Sequence, residues 1–192
     1  MELFPEYSKK NSPLPPLAAR MRPENLDKYF GQEHLIGQGL PLRELVETDS
    51  GLSFILWGPP GTGKTTLARI SAKLTKSEFH EISAVNAGVS DIRKVVQSAI
   101  QSWRNKGTRT ILFLDEIHRF NKAQQDAVLP YVENGTIRLI GSTTENPSLE
   151  VIPALRSRCQ TFRLDVLSRG SIRNIILSAL TDNKNGLGKS KI

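Results

Sequence analysis

The stretch that most restricts the fold is "SFILWGPPGTGKT", residues 53–65, in which a short apolar run enters a glycine-rich loop. Gly58–Thr65 fits the pattern G-x-x-x-x-G-K-[ST]. Its glycines permit positive φ angles and let backbone amides approach a phosphate group closely. The apolar residues that follow the loop recur at helical spacing and are Leu67, Ile70 and Leu74. The helix that they predict would direct its N-terminus, the positive end of its dipole, at the bound phosphate. The sequence therefore predicts a strand, a loop and a helix that together bind a nucleotide.

Each residue of this loop is a candidate nucleotide ligand. Lys64 is expected to reach the β- and γ-phosphates, and Thr65 to offer its hydroxyl group to Mg²⁺. A glycine-rich turn that binds nothing is disfavoured, because a strand pattern precedes the loop and a helix pattern follows it. The predicted ATP-binding residues of the loop are Gly58, Pro59, Pro60, Gly61, Thr62, Gly63, Lys64, Thr65 and Thr66.

Strand and helix patterns alternate from Ser53 onward. This order predicts an α/β fold of the P-loop NTPase kind, with a parallel five-stranded sheet flanked by helices. The candidate strands are Ser53–Trp57, Glu78–Ser83, Thr110–Leu114, Ile137–Ser142 and Thr161–Leu164.

Two amphipathic helices are predicted outside the loop unit. The first follows Ser90, a suitable N-cap, and its apolar stripe ends at Trp103, which we assign to the core. The second begins at Ser168 and needs a partner for its apolar face, which consists of Ile172, Ile175, Ile176, Ala179 and Leu180.

These patterns divide the chain into three parts. Residues 1–22 contain four prolines and are predicted to form an extended arm. Residues 23–166 hold the alternating pattern and form the predicted catalytic core. Residues 167–192 are predicted to begin a helical second domain, and the unpartnered helix leads us to expect that the chain is a fragment.

Net charge does not decide for or against nucleic acid. The formal charge is +7, but residues 163–192 contribute +4 (six basic and two acidic side chains) and residues 1–22 contribute +2 (four basic and two acidic). Only +1 is left for everything between them. The basic ends are compatible with a nucleic-acid partner but do not require one.

Cysteine usage and the N-terminus favour a cytoplasmic protein without a membrane partner. Cys159 is the single cysteine, so an internal disulfide is excluded. No apolar run approaches the ~20 residues that span a bilayer. Pro13, Pro15 and Pro16 fall where a signal peptide needs an apolar core.

Two adjacent acids, Asp115 and Glu116, end the apolar run "TILFLDE". At the carboxyl edge of a parallel sheet they would face the ligand side of the fold. We expect Asp115 to hold Mg²⁺ through water, and Glu116 to orient and deprotonate the attacking water. Alone, such acids would be ordinary solvated side chains. The phosphate loop upstream favours the catalytic interpretation.

Five segments stand out for their specificity: "RPENLDKYFGQEHLIG", "ILWGPPGTGKTTLARI", "LFLDEIHRFNKAQQDAVLP", "LIGSTTENPS" and "LRSRC". They resemble the AAA+ ATPases and, among them, the replication-associated recombination protein A family, also called MgsA and related to the Werner-helicase-interacting protein. The resemblance extends from about Pro15 to Leu180. It implies a DNA-dependent ATPase that acts at stalled or damaged replication forks and remodels DNA structures or DNA-bound proteins. Sliding-clamp-loader subunits and the branch-migration motor RuvB are close cousins, and a subunit of either kind is the alternative.

The resemblance also implies roles for individual residues near the nucleotide. Gly31 and Gln32 match a segment that helps to frame the adenine, with Leu35 and Ile36 as apolar contacts.

Two further segments match positions near the γ-phosphate. Thr144 resembles the sensor 1 residue, with Thr143 and Asn146 as alternatives; the competing interpretation is polar turn chemistry. Arg158 resembles the arginine finger that acts in trans in a homo-oligomer, with Arg156 as the other candidate and a surface ion pair as the competing interpretation.

DNA contacts are expected at cations near two helix starts, Arg93 with Lys94 and Arg119 with Lys122. Clamp-loader relatives approach the phosphate backbone there, which would give sequence-independent, salt-sensitive binding to single-stranded or forked DNA. Solvated helix faces are the alternative. His118 either senses γ-phosphate or packs on its strand, and the sequence does not choose.

Two other function classes are disfavoured by the sequence. A nucleotide-binding scaffold is disfavoured because Lys64 and Glu116 are both present. A protein unfoldase is disfavoured because the segment "AVNAGVSD" lacks the aromatic residue of a pore loop.

The resemblance implies elements and partners beyond the core. The sensor 2 arginine would lie in a helical lid that follows the ATPase core, and the oligomerisation region would lie beyond that lid. Because both are needed for efficient hydrolysis, we expect weak ATPase activity from this chain. Single-strand-binding protein and the sliding clamp are expected partners of a nucleoid-associated protein. Leu3 and Phe4 in "MELFPE" resemble a clamp-docking peptide that lacks its glutamine; a terminus without any contact is the alternative.

Overall fold

A computed structural model describes residues 14–48, 50–84 and 87–188. Leu3 and Phe4 lie outside these ranges. The strands are β1 (Ser53–Trp57), β2 (Glu78–Ser83), β3 (Thr110–Asp115), β4 (Arg138–Thr143) and β5 (Cys159–Arg163). The helices are α1 (Leu17–Arg20), α2 (Glu33–Ile36), α3 (Pro41–Glu47), α4 (Lys64–Leu74), α5 (Val89–Lys106), α6 (Lys122–Glu133), α7 (Pro147–Glu150), α8 (Pro153–Arg156) and α9 (Arg169–Thr181). Two short 3₁₀ helices span Leu26–Lys28 and Ile117–Arg119.

The five strands form one parallel sheet in the order β2-β3-β4-β1-β5. The predicted fold class is confirmed. The bounds of β1 and β2 agree with the sequence prediction, and β3 ends one residue later, at Asp115. Strand β4 begins and ends one residue later than predicted, whereas β5 begins two residues earlier and ends one residue earlier. Because all strands run the same way, their carboxyl ends meet at one edge of the sheet.

Side chains alternate between two apolar layers along each central strand. Phe54 and Leu56 of β1 pack in the layer that contains α3 and α4, whereas Ile55 packs in the layer that contains α5 and α6. This period of two is what a strand buried on both faces requires. The covered sheet holds its carboxyl edge, where the candidate site lies, in a fixed arrangement.

Helix α5 differs from its prediction at both ends. It begins after Gly88 rather than Ser90, because the Asp91 carboxylate accepts a hydrogen bond from the Gly88 amide at 3.0 Å. Trp103 was predicted to be core but is 56% exposed, 6.0 Å from the Arg109 guanidinium. An 18-residue helix is about 27 Å long and a six-residue strand about 20 Å, so the last turn extends past the sheet.

The two end segments also contain helices. Leu17–Arg20 of the predicted extended arm forms one helical turn, which Pro16 at its N-cap position permits. Helix α9 begins after Ser168 as predicted, and the Ser168 hydroxyl accepts a hydrogen bond from the Ser171 amide at 3.1 Å. Its apolar residues stay partly exposed, Ile176 at 53%. The domain boundaries at residues 22 and 166 stay predictions. Across the described ranges, the helices are too short or too polar to cross a membrane.

Candidate active site

The loop between β1 and α4 is closed by its own lysine. Lys64 is 8% exposed, and its Nζ donates hydrogen bonds to the carbonyl oxygens of Gly58 (2.7 Å) and Pro59 (2.9 Å). Burial lowers the pKa of the Lys64 ammonium group, and the charges of Glu116 and Asp115 partly offset that shift. The lysine is thus held inside the loop, within the field of the two predicted catalytic acids.

Glycine is required at two points of this loop by close approach. A Cβ atom on Gly63, whose φ is 99°, would run into the Tyr29 hydroxyl group. A Cβ atom on Gly58 would run into the Leu164 carbonyl oxygen. The loop is therefore packed from behind, while the 11-residue helix α4 begins at Lys64 with its amides directed at the loop. Such a cradle fits the phosphates of a nucleotide.

The two acids stand where β3 ends, and Ser142 of β4 connects them. Its hydroxyl group donates to Asp115 Oδ1 at 2.5 Å and accepts from the Glu116 amide at 3.3 Å. Ser142 is fully buried. Glu116 has a φ of 54°, which turns the chain sharply out of the strand. The sequence prediction missed Ser142, because the sequence does not show that β4 lies beside β3.

The Glu116 carboxylate is held by two side chains through one oxygen. Its Oε2 atom accepts a hydrogen bond from the Thr144 hydroxyl group at 3.3 Å and lies 3.2 Å from Nδ1 of His118. The same His118 nitrogen is 3.1 Å from the Thr143 hydroxyl group. Of the three predicted sensor candidates, Thr144 contacts Glu116, Thr143 contacts His118, and Asn146 caps α7 through a hydrogen bond from the Ser148 amide.

The predicted Mg²⁺ ligands come from elements that end or begin at the same edge of the sheet. Asp115 ends β3, and Thr65 is the second residue of α4, directly after the loop that follows β1. A carboxylate and a hydroxyl group are the oxygen ligands that Mg²⁺ prefers, with water completing its shell. The residues present therefore fit the ion.

A cavity of about 710 Å³ opens beside the loop, between residues 18–30 and α9. Met21, Pro23, Leu167 and Ile175 give it apolar walls, and Thr62, Gly63 and Thr66 connect it to the phosphate loop. This cavity is the structure's candidate for the base of a nucleotide. The sequence prediction missed it because its walls come from segments about 140 residues apart.

Gln32 and Ile36, predicted to contact the adenine, do not line this cavity. Ile36 is 7% exposed and packs in the core. Gln32 is 4% exposed, and its carboxamide binds backbone groups of Thr62 and Asp165. Tertiary packing turns both side chains inward, and their roles at the adenine stay predictions.

Arg158 lies at the opposite edge of the sheet from the phosphate loop. It precedes β5, whose first residue Cys159 is paired with Ser53 at the start of β1. Five strand residues, about 16 Å, separate that edge from the loop. Its Nη2 atom is 2.5 Å from Glu133 Oε1, so the predicted surface ion pair is present. Arg156, the other candidate, donates to the Ser148 carbonyl oxygen at 2.7 Å.

The four predicted DNA-contacting cations lie near the starts of α5 and α6, two helices that pack in the same apolar layer. Arg93 and Lys94 lie in the first turn and a half of α5, and Arg119 and Lys122 lie just before and at the start of α6. The Gln124 amide group links these regions by donating to the Ala87 carbonyl oxygen at 2.9 Å. Arg93, Arg119 and Lys122 are exposed, and Lys94 forms an ion pair with Asp91 at 3.0 Å.

The region from Phe54 to Asp165 matches the ATPase family associated with various cellular activities (AAA). The match covers more than half of the chain. This chain belongs to the AAA family. The predicted resemblance to replication-associated recombination protein A is confirmed: the protein of that name from Escherichia coli K12 is 52% identical over 177 residues. That alignment covers 92% of this chain and 39% of the relative.

Other comparisons agree with the AAA assignment. ATPase WRNIP1 of Dictyostelium discoideum is 44% identical over 171 residues, which cover 89% of this chain and 19% of the relative. Among solved structures, the RuvB Holliday junction branch migration motor of Thermotoga maritima superposes with a TM-score of 0.66 at 29% identity, over 84% of this chain and 54% of that one. This chain spans about two fifths of the length of its Escherichia coli and Haemophilus influenzae relatives.

Proposed function

We propose that this chain is the ATP-hydrolysing core of a DNA-dependent ATPase that acts at stalled or damaged replication forks. In this proposal, hydrolysis drives the remodelling of DNA structures or of proteins bound to DNA in the cytoplasm. Relatives named for replication-associated recombination support the choice of process. Because the chain spans only part of those relatives, the activity of a whole protein is included in the proposal.

The observation that carries the proposal is that the loop lysine and the two acids lie at the same edge of the sheet. Lys64 is buried in the glycine loop that follows β1, and Asp115 and Glu116 stand at the end of β3. A lysine at the phosphates and a carboxylate at the attacking water are the two groups that separate hydrolysis from mere nucleotide binding.

We assign each group one role in the reaction. Lys64 and the loop amides hold the phosphates, and Glu116 accepts the proton of the attacking water through Oε1, because Oε2 is engaged by Thr144 and His118. Thr65 and Asp115 would hold Mg²⁺, which supplies charge that neutralises phosphate oxygens. Arg158 acts on the site of a neighbouring subunit, since the sheet separates it from its own loop.

DNA binds, in this proposal, along the starts of α5 and α6. Arg93, Arg119 and Lys122 present exposed cations there. Only the short Ile117–Arg119 helix and two further residues separate Glu116 from the start of α6. DNA phosphates bound at the start of α6 would therefore be close enough along the chain to shift the position of the Glu116 carboxylate. Reversing the charge of Arg119 and Lys122 should abolish DNA stimulation, and unaltered stimulation would exclude these residues as the contact.

A second function is favoured by the likeness to the RuvB branch migration motor. A subunit that moves Holliday junctions would use the same ATPase core. Junction DNA, as opposed to single-stranded or forked DNA, would then be the strongest stimulator.

Single-strand-binding protein and the sliding clamp are partners that a fork-associated protein would be expected to meet.

The test is ATPase activity with and without single-stranded, forked and junction DNA. It is run on this chain and on a chain extended to the length of its relatives, beside Glu116→Gln. We expect DNA to stimulate the extended chain strongly, the present chain to turn over slowly, and Glu116→Gln to lose on the order of 10²–10⁴-fold in kcat. Equal turnover by the short and extended chains would refute the need for a lid. Stimulation by unfolded protein alone would favour an unfoldase.

A further inference from the structure

We infer that Gln32 is a positioning residue that connects the phosphate loop to the segment leading into α9. Its Nε2 atom donates hydrogen bonds to the Asp165 carbonyl oxygen at 2.7 Å and to the Thr62 carbonyl oxygen at 3.4 Å. Its Oε1 atom accepts from the Asp165 amide at 2.9 Å. One buried carboxamide thus joins a loop residue to a residue 103 positions later. The inference rests on the proposed nucleotide binding at the loop.

The local backbone is shaped to bring Gln32 into this position. Gln32 has a φ of 63°, a conformation that non-glycine residues seldom adopt and that persists where the surroundings determine it. The preceding Gly31 has a φ of 88°, and a Cβ atom there would lie 2.5 Å from Leu167 Cδ2. A side chain at residue 31 would therefore have to displace the Leu167 side chain, which lies directly before the N-cap of α9.

The contact at Thr62 bears directly on phosphate binding. Its carbonyl oxygen also accepts a hydrogen bond from the Tyr29 hydroxyl group at 3.0 Å. In a trans peptide the carbonyl group and the next amide point in opposite directions. Because the Thr62 carbonyl oxygen is held toward Tyr29 and Gln32, the Gly63 amide points away from them and into the loop. A phosphate bound in the loop would accept a hydrogen bond from that amide.

The carboxamide is the chemical group that this position requires. It offers a donor and an acceptor side by side, which match the carbonyl oxygen and the amide of Asp165. A carboxylate would place an acceptor against two carbonyl oxygens, and a methionine would offer neither group. Through Gln32, a change in the loop on nucleotide binding is transmitted to Asp165, three residues before the N-cap of α9.

The chain contains a matched control. Gln125 is 1% exposed, donates from Nε2 to the carbonyl oxygens of Phe120 and Glu150 at 3.0 Å each, and accepts from the Ile152 amide at 3.0 Å. It makes the same kind of three-way backbone contact as Gln32. These contacts join α6 to the α7–α8 region and touch neither the phosphate loop nor α9.

The experiment compares Gln32→Met with Gln125→Met, since methionine keeps the length of the side chain. It measures the Kd of a fluorescent ATP analogue and the nucleotide-dependent change in amide hydrogen exchange at residues 164–172. We expect Gln32→Met to raise Kd on the order of tenfold and to abolish that change. Gln125→Met should lower thermal stability comparably and retain both properties. Gln32→Ala serves as the second variant if Gln32→Met does not fold.

Two results would overturn the inference, and they differ. Wild-type Kd and wild-type exchange changes in a folded Gln32 variant would remove the positioning role and leave the proposed function intact. Failure of the wild-type chain to bind the analogue would instead refute nucleotide binding itself, together with everything that rests on it.

Discussion

Replacing Ser142 with alanine removes one hydroxyl group that both candidate catalytic acids share. In the folded chain it donates to the Asp115 carboxylate at 2.5 Å and accepts from the Glu116 amide at 3.3 Å. The side chain is fully buried. In Ser142→Ala, Asp115 loses a donor that orients its carboxylate, and the Glu116 amide loses its acceptor at the point where the chain leaves β3.

The expected loss of activity follows from the strength of the bond to Asp115. A hydrogen bond to a charged group contributes about 1.5–3 kcal/mol. If that contribution is present in the transition state, its removal lowers kcat by on the order of 10- to 100-fold, since about 1.4 kcal/mol corresponds to a factor of ten. The free energy of unfolding should fall by only about 1 kcal/mol, because Asp115 is partly exposed and water can replace the lost donor.

The assay is steady-state ATPase activity, with thermal unfolding recorded on the same samples. Ser53→Ala is the matched control: Ser53 is 5% exposed and its hydroxyl group accepts from the Leu139 amide at 2.9 Å, at the opposite end of the sheet. It should lose stability but keep kcat. A Ser142→Ala variant with kcat within twofold of wild type would refute the assigned role.

Other predictions concern residues outside this pair. Burial raises the pKa of the Cys159 thiol to about 12, so at pH 8 a disulfide reagent should modify the native chain on the order of 10³-fold more slowly than the unfolded chain; equal rates would contradict this. Arg138→Met should lower the free energy of unfolding by about 2–5 kcal/mol in urea titrations, since the carbonyl oxygens of Leu52 and Leu45 lose charged donors at 2.6 and 2.7 Å; an unchanged midpoint would show that these bonds contribute nothing. Arg158→Ala should lower the kcat of an assembled ATPase by on the order of 10³-fold with ATP affinity retained; an unchanged kcat would leave Arg158 with its ion pair alone.

Local patterns were sufficient wherever one segment carries its own chemistry. The glycine loop, the strand before it and the acids at the end of β3 are each continuous in sequence, and each was predicted at its residues. The start of α9 at Ser168 was predictable for the same reason, because an N-cap is a contact within one turn. Trp103 was misassigned because helical spacing gives the face of a helix but not the length of the sheet beneath it.

The sequence by itself determined the fold class, the phosphate loop and the identity of the two acids. Only the tertiary structure decided that Ser142 joins those acids, that residues 18–30 and α9 enclose a cavity beside the loop, and that Gln32 is buried against the loop and Asp165. The physical reason is that these contacts cross between segments 27 to more than 130 residues apart. Periodicity and motif spacing describe neighbours along the chain, whereas the partners of a buried hydroxyl or carboxamide group are set by which strands lie side by side.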